Sequence, residues 1–253
     1  WVIGVGAAPM AVQVTYAPLD EGVDTATLTV TSNDPADPTQ VSSYVGDAVR
    51  YGTQTDTIEH SQGGVVDLLF AVDKSGSMTD DIDKLMDAAP ALFDALSARG
   101  VDVQVAVVTA DDGCINGTPY IDSSMSSDAQ LDAFNTMLNG SYGTFTEAAF
   151  QLMLTALSRT SEGSGAGDGD CNAGLLRAHA DLALVSVSDE REQSPNSWDY
   201  YVEAFRTLKN GDDDVVFHAI AGDFPSGCEG NEPGVRHYEA VVETDGIFLS
   251  VCA

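Results

Sequence analysis

Val65-Val66-Asp67-Leu68-Leu69-Phe70-Ala71-Val72-Asp73-Lys74-Ser75-Gly76-Ser77 is the stretch that decides the fold. The first eight residues are almost continuously apolar, as a central strand covered on both faces requires, and lack the alternation of a half-exposed one. The run ends at a carboxylate followed by two hydroxyls at alternate positions, with Gly76 between the serines to permit a tight turn. An aspartate and two serines so spaced, on a loop entering a helix, can converge on one hard cation. Magnesium takes about six oxygen ligands at about 2.0–2.1 Å and keeps several waters, so a hydroxyl-rich shell with few carboxylates suits it.

Working outward, the chain alternates strand-like and helix-like segments. Residues 80–98 carry apolar positions at helical spacing (Ile82, Leu85, Met86, Leu92, Leu96), with Pro90 expected to bend the helix. Strands are expected at 101–109, 181–188, 215–221 and 247–251, and helices at 129–138, 147–159, 197–209 and 234–242. Strands spaced by helices imply an α/β fold: a doubly wound, mostly parallel sheet with helices on both faces. Ligands of such sheets sit outside the carboxyl ends of the strands, where Asp73 stands.

Before residue 64 the rhythm differs. Residues 11–31 alternate apolar and polar in two runs joined by a Pro/Asp/Gly segment, which reads as a hairpin, and residues 39–45 read as a third strand. The expected organisation is a small β module over 1–46, a polar linker over 47–63 and the α/β domain over 64–253. Three strands alone leave an open edge, which invites completion by strands of a neighbouring chain.

Forty acidic residues oppose ten basic ones, a net charge of −30 in 253 residues. That field repels nucleic acid and anionic membrane surfaces and attracts divalent cations. No apolar run reaches the roughly 18 residues of a membrane span. Cys114, Cys171, Cys228 and Cys252 form no CxxC pair, which argues against zinc or thioredoxin-like chemistry. Their even number suggests two disulfides and an oxidising compartment. Of the three pairings open to them, Cys114 with Cys171 and Cys228 with Cys252 is favoured. The four histidines form no HExxH and no triad with a nucleophile elbow, and no general base stands beside the Asp73 motif, so the chain reads as a non-enzyme.

The DxSGS motif after an apolar strand is similar to the metal-ion-dependent adhesion site (MIDAS) of von Willebrand factor type A and integrin I domains. The resemblance covers roughly residues 65–251. It implies that Thr144, in Gly143-Thr144-Phe145-Thr146, and Asp189, closing Leu184-Val185-Ser186-Val187-Ser188-Asp189, complete a metal site with Asp73, Ser75 and Ser77. Thr146 is the substitute for Thr144, and Glu190 stands where the family commonly has Gly. The spacing DxSxSxxDD is also similar to integrin β subunits, which implies a second metal at Ser77, Asp80 and Asp81. Residues 16–39 resemble the closing half of the ASH/Hydin-like immunoglobulin-type modules.

By resemblance the metal is Mg2+, with Mn2+ or Ca2+ as substitutes, and it keeps one position for an acidic group of a partner. The function so implied is an extracellular or cell-surface binding protein that captures a carboxylate of a protein or glycan ligand. The other expectation is a structural subunit of an extracellular assembly, self-assembled through its N-terminal strands and stabilised by metal.

Overall fold

A computed structural model describes residues 22–31, 39–48, 64–140, 147–160, 171–209, 214–228 and 230–252. The chain divides into two compact units, Trp1–Ile58 and Glu59–Ala253. In the first, β1 (Gly22–Thr31) and β2 (Thr39–Ala48) pair antiparallel in unbroken register from Gly22↔Ala48 to Thr31↔Thr39. The expected third strand is thus the partner of β1, while the expected run over residues 11–21 lies outside the described residues. Val23, Val41, Tyr44 and Val45 of this ribbon are exposed.

The second unit contains, in chain order, β3 (Val65–Val72), a single 3-10 turn (Gly76–Met78), α1 (Thr79–Ala98), β4 (Asp102–Val108), β5 (Ile121–Asp122) and α2 (Ser127–Asn139). There follow α3 (Ala149–Ser158), β6 (Asp181–Ser188), α4 (Trp198–Leu208), β7 (Val215–Ala221), α5 (His237–Glu243) and β8 (Phe248–Ser250). The sheet runs β5-β4-β3-β6-β7-β8, with every pair parallel except β4–β5. This is the doubly wound α/β architecture the alternation of elements implied.

Burial explains the strand composition. Leu69, Val72, Val105, Val107, Leu184 and Phe217 are almost wholly inaccessible, and each such side chain contributes about 1.5–3 kcal/mol relative to an exposed one. One aromatic cluster joins Phe70 of β3 edge-on to Phe134 of α2, which meets Phe93 of α1. A second joins Phe150 of α3 to Tyr201 of α4 and Phe217 of β7. Helix α1 runs through Pro90, which faces solvent, while Ile82, Ala89 and Phe93 line its buried stripe. Asp80 and Asp81 occupy its first turn, where the helix dipole favours acids.

Asp67 interrupts the apolar run of β3 for a reason invisible in the sequence. At 1% exposure its Oδ1 accepts from Arg177 Nε at 2.7 Å, and its Oδ2 accepts from the Arg177 amide at 2.6 Å and from Lys209 Nζ at 3.3 Å. Arg177 also reaches Asp102 at 2.9 Å. This buried ion cluster fastens the amino ends of β3 and β4 to the segments before β6 and β7. A buried charge is tolerable only when paired and hydrogen-bonded, and here each one is.

Two helices start later than their apolar patterns suggest. Ala148 holds φ −123 and ψ 61, outside helical space, so α3 starts at Ala149 and leaves Glu147 in the preceding loop. Arg236 holds φ +34, so α5 starts at His237 and not at residue 234. The two-residue strand β5 has no signal in the sequence.

Candidate metal centre

The order of the sheet reverses between β3 and β6: from β3 the chain winds outward through β4, and from β6 it winds the other way through β7 and β8. Loops leaving two such strands diverge to opposite faces and open a crevice at their carboxyl ends. Asp73 follows β3 and Asp189 follows β6, so the two carboxylates flank that crevice.

Register sets their placement. Val72 pairs with Val187, and the ladder continues one step further as the Asp73 amide donates to the Val187 carbonyl at 2.9 Å. Asp73 is therefore held as part of the sheet, at 1% exposure. Its two oxygens are both engaged: Oδ1 accepts from the Ser75 amide at 2.7 Å and Oδ2 from the Ser188 hydroxyl at 2.7 Å. The first bond folds the DxS turn, and it brings the Ser75 and Ser77 hydroxyls to 3.0 Å from each other. Ser188 also accepts from the Glu190 amide at 3.1 Å, shaping the turn after β6.

Asp189 is 3% exposed, and its Oδ1 has no hydrogen-bond partner among the described residues. Neither Asp73 nor Asp189 forms an ion pair there. Around them the charge is negative. Burial first, and then the charges of Glu232, Asp189, Glu147 and Asp73, push the Glu190 carboxyl above its ordinary value. Two buried carboxylates without a counter-charge in an anionic rim are costly unless a cation joins them. The donors present are carboxylate and hydroxyl oxygens, a set suited to a hard divalent ion. Among the described residues no three His, Cys, Asp or Glu side chains are grouped so that they could hold a metal ion by themselves, so a cation here would need hydroxyl oxygens as well.

Thr144 and its substitute Thr146 lie outside the described residues. The segments flanking that loop are fixed: Thr109 donates to the Gly140 carbonyl at 2.9 Å on one side, and the Glu147 carbonyl accepts from the Gln193 amide at 2.7 Å on the other. Lys74 turns away from the carboxylates and donates to the Leu138 carbonyl at 2.8 Å, in the last turn of α2, and burial lowers its pKa. Asp81 is paired with Lys84 at 3.0 Å.

Several residues that shape this end escaped the sequence reading. Ser188 was visible only as a polar residue alternating with Val in a buried strand. Glu192, 6% exposed, accepts from the Ser194 amide at 2.7 Å and the Phe150 amide at 3.3 Å. Burial pushes its carboxyl up against the pull of the Ser194 hydroxyl, of those two amides and of the Arg236 charge. The Glu232 amide donates to the Asp189 carbonyl at 2.8 Å, bringing the loop before α5 against the crevice. Both disulfides take the favoured pairing, Cys114–Cys171 and Cys228–Cys252. The second ties that loop to the residues after β8. A cavity of about 320 Å3 lined by Phe93, Leu96, Val101 and Met125 lies at the other end of the sheet, away from these carboxylates.

No curated protein sequence matches the chain. Solved structures it is similar to include proximal thread matrix protein 1 from the mussel byssus, at 13% identity and a TM-score of 0.43, covering 74% of this chain and 42% of that one. Another is the same mussel protein with a zinc-occupied MIDAS motif, at 12% identity and a TM-score of 0.43, covering 75% and 42%. The chain thus spans less than half the length of these matched chains. The family model for the von Willebrand factor type A domain matches residues 67–223, more than half of the chain. The protein belongs to the von Willebrand factor type A domain family.

Proposed function

We propose that Asp73, Ser75, Ser77, Thr144 and Asp189 hold one divalent cation, and that the protein uses it to bind an acidic group of an extracellular protein or glycan. Domains of this family typically mediate metal-dependent protein binding and are generally not enzymes. The observation that carries the reading is the buried Oδ1 of Asp189, unpartnered among the described residues, near the equally buried Asp73, with no cationic side chain among those residues paired to either. Magnesium fits the oxygen donors, with manganese or calcium as substitutes. When bound, the ion supplies a positive centre for an oxygen ligand. The chain's own part is to fix that centre: the sheet holds Asp73 and Ser188 orients its carboxylate. The anionic rim of Glu190 and Glu232 discourages bulk anions from approaching without the ion. Two disulfides support an oxidising, extracellular setting. No helix among the described residues is long and apolar enough to cross a membrane.

A second reading has its own support. The β1–β2 ribbon exposes Val23, Val41, Tyr44 and Val45, and an isolated two-stranded ribbon is marginally stable in water. Pairing with strands of a neighbouring chain, in an extracellular assembly, would cover it. Light scattering on the eluting protein separates the two: a monomer at all concentrations disposes of the assembly reading.

The test of the metal reading is calorimetric titration of the chelator-treated protein with Mg2+, Mn2+ and Ca2+. One site is expected, and Asp73→Ala should abolish it while circular dichroism stays unchanged. A second equivalent of ion, lost in Asp80→Ala and Asp81→Ala, would add the Ser77, Asp80 and Asp81 site. No heat with any of the three ions would sink the proposal.

A further inference from the structure

Helix α3 starts without a cap of its own, since Ala148 at its N-cap makes no side-chain bond. The first N–H groups of a helix have no partner inside it. Two of them are met from another loop. Glu192 Oε2 accepts from the Phe150 amide at 3.3 Å and the Ser194 hydroxyl accepts from the Gln151 amide at 2.9 Å. The second oxygen of Glu192 accepts from the Ser194 amide at 2.7 Å. One buried carboxylate therefore joins the loop after β6 to the first turn of α3. Gln193 adds a parallel tie, its amide to the Glu147 carbonyl at 2.7 Å and its side chain to the Glu147 carboxylate at 3.2 Å.

Arg236 braces this junction from behind. Its Nη1 donates to the carbonyls of Glu192 at 3.1 Å and Ser194 at 2.7 Å, its Nη2 donates to the Asn196 carbonyl, and its guanidinium lies 5.8 Å from the centre of the Phe150 ring. The backbone of Arg236 sits at φ +34, a conformation a non-glycine residue keeps only where its surroundings over-determine it.

The turn so joined to α3 is the one that carries Asp189 of the proposed metal site. Glu192 follows Asp189 in the same turn, and α3 follows the loop that carries Thr144. We propose that Glu192 is a positioning residue for that site: its bridging carboxylate fixes the Asp189 turn against the first turn of α3, and through it the affinity for the divalent cation. Both of its oxygens act as acceptors, one toward its own loop and one toward α3. An amide would turn a donor toward one of the two N–H groups, so Gln cannot replace it without breaking one arm. The positive end of α3 adds to the preference for a carboxylate there. This inference rests on the metal reading above.

The test compares Glu192→Gln with Ser194→Ala in the full chain, titrated with Mn2+ by calorimetry and unfolded thermally in chelator. Ser194→Ala removes the hydroxyl that caps Gln151 and also bonds the Glu192 carboxyl, but it leaves the Phe150 and Ser194 amides that form the bridge, so it weakens α3 without breaking the link between the two segments. Glu192→Gln is expected to weaken Mn2+ binding by at least about tenfold, in the range usual for groups that orient metal ligands. Ser194→Ala is expected to change it less than about twofold. Where Glu192→Gln fails to fold, Glu192→Asp, which keeps both acceptors on a shorter arm, is expected to show the same weakening. If Glu192→Gln or its replacement binds Mn2+ within twofold of the wild type, or if Ser194→Ala weakens binding equally, Glu192 is only a helix cap and the inference fails. A wild type that binds no Mn2+ is a separate result, which removes the metal reading itself.

Discussion

The hydroxyl of Ser188, last residue of β6, donates to Asp73 Oδ2 at 2.7 Å, across the boundary where the sheet reverses its direction of winding. The bond exists because β3 and β6 are in parallel register through Val72 and Val187, so the two loops leave the sheet side by side. It leaves Asp73 with one oxygen anchored to its own turn and the other anchored to the neighbouring strand. Groups that orient a metal ligand typically contribute 10–100-fold to affinity. Ser188→Ala is therefore expected to weaken Mg2+ binding about tenfold in calorimetry while leaving circular dichroism unchanged. Binding within twofold of the wild type would show that Asp73 needs no such anchor.

The ion cluster at the other end of the sheet makes a contrasting prediction. Lys209 is 5% exposed, and its Nζ has Asp67 at 3.3 Å and the Arg177 carbonyl at 2.7 Å. Asp67→Ala would leave that ammonium buried without an anion, and breaking a buried pair in this way costs about 3–5 kcal/mol. Urea unfolding should record that loss, whereas metal affinity should stay within twofold, because Asp67 lies at the amino end of β3. A loss below about 1 kcal/mol would mean that water or a repacked Asp102 takes over the pairing.

These two sites differ in how much of them the sequence displays. The strands β3, β6 and β7 were legible because each is predominantly apolar over seven or eight residues, and the DxSGS motif was legible because its donors are local. The Ser188–Asp73 bond spans 115 residues and the Lys209–Asp67 bond 142. Such pairings depend on register and on which helix covers which strand, and residue type records neither. Asp67 showed only as a flaw in an apolar run. Nothing in the sequence marks Glu192 or Arg236, because their roles come from backbone groups of other segments. The start of α5 was misplaced by three residues for a similar reason: Arg236 leaves helical space to reach carbonyls after β6, and periodicity carries no trace of that.

His237 supplies a pH prediction. It is 1% exposed, packs at 5.6 Å on the Phe150 ring and has no partner for Nδ1 among the described residues. Burial, helped by the Arg236 charge, lowers its pKa from 6.5 to about 3. The folded state thus holds His237 neutral where the unfolded chain protonates it. Stability from this group is complete above pH 6.5 and is lost as pH falls toward about 3, at up to about 1.4 kcal/mol per pH unit. His237→Phe keeps the ring contact and removes the proton site. It should match the wild type within about 1 kcal/mol at pH 7 and exceed it by roughly 2–3 kcal/mol at pH 4.5. The buried Glu192 carboxyl, raised by burial, acts with the opposite sign in both proteins and cancels in the difference. A difference that does not change with pH would mean that His237 is protonated in the folded chain.

The net charge of −30 predicts two distinguishable responses to salt. Monovalent salt shortens the Debye length from about 10 Å at 0.1 M to about 3 Å at 1 M. It should therefore raise the unfolding temperature of the chelator-treated wild type and of Asp73→Ala alike, by relieving repulsion among surface carboxylates. A cation held by the buried Asp73 and Asp189 is screened far less, because bulk ions do not reach a pair at 1% and 3% exposure. Adding Mg2+ at about 100 times its Kd in 1 M KCl should stabilise the wild type by about 2.7 kcal/mol. In a domain of this size that corresponds to roughly 5–10 °C. Asp73→Ala should show none of this increment at 1 M KCl, although at low salt it should still gain from diffuse Mg2+ screening. Equal increments in the two proteins at 1 M KCl would assign the whole effect to the surface field and leave the crevice without an ion.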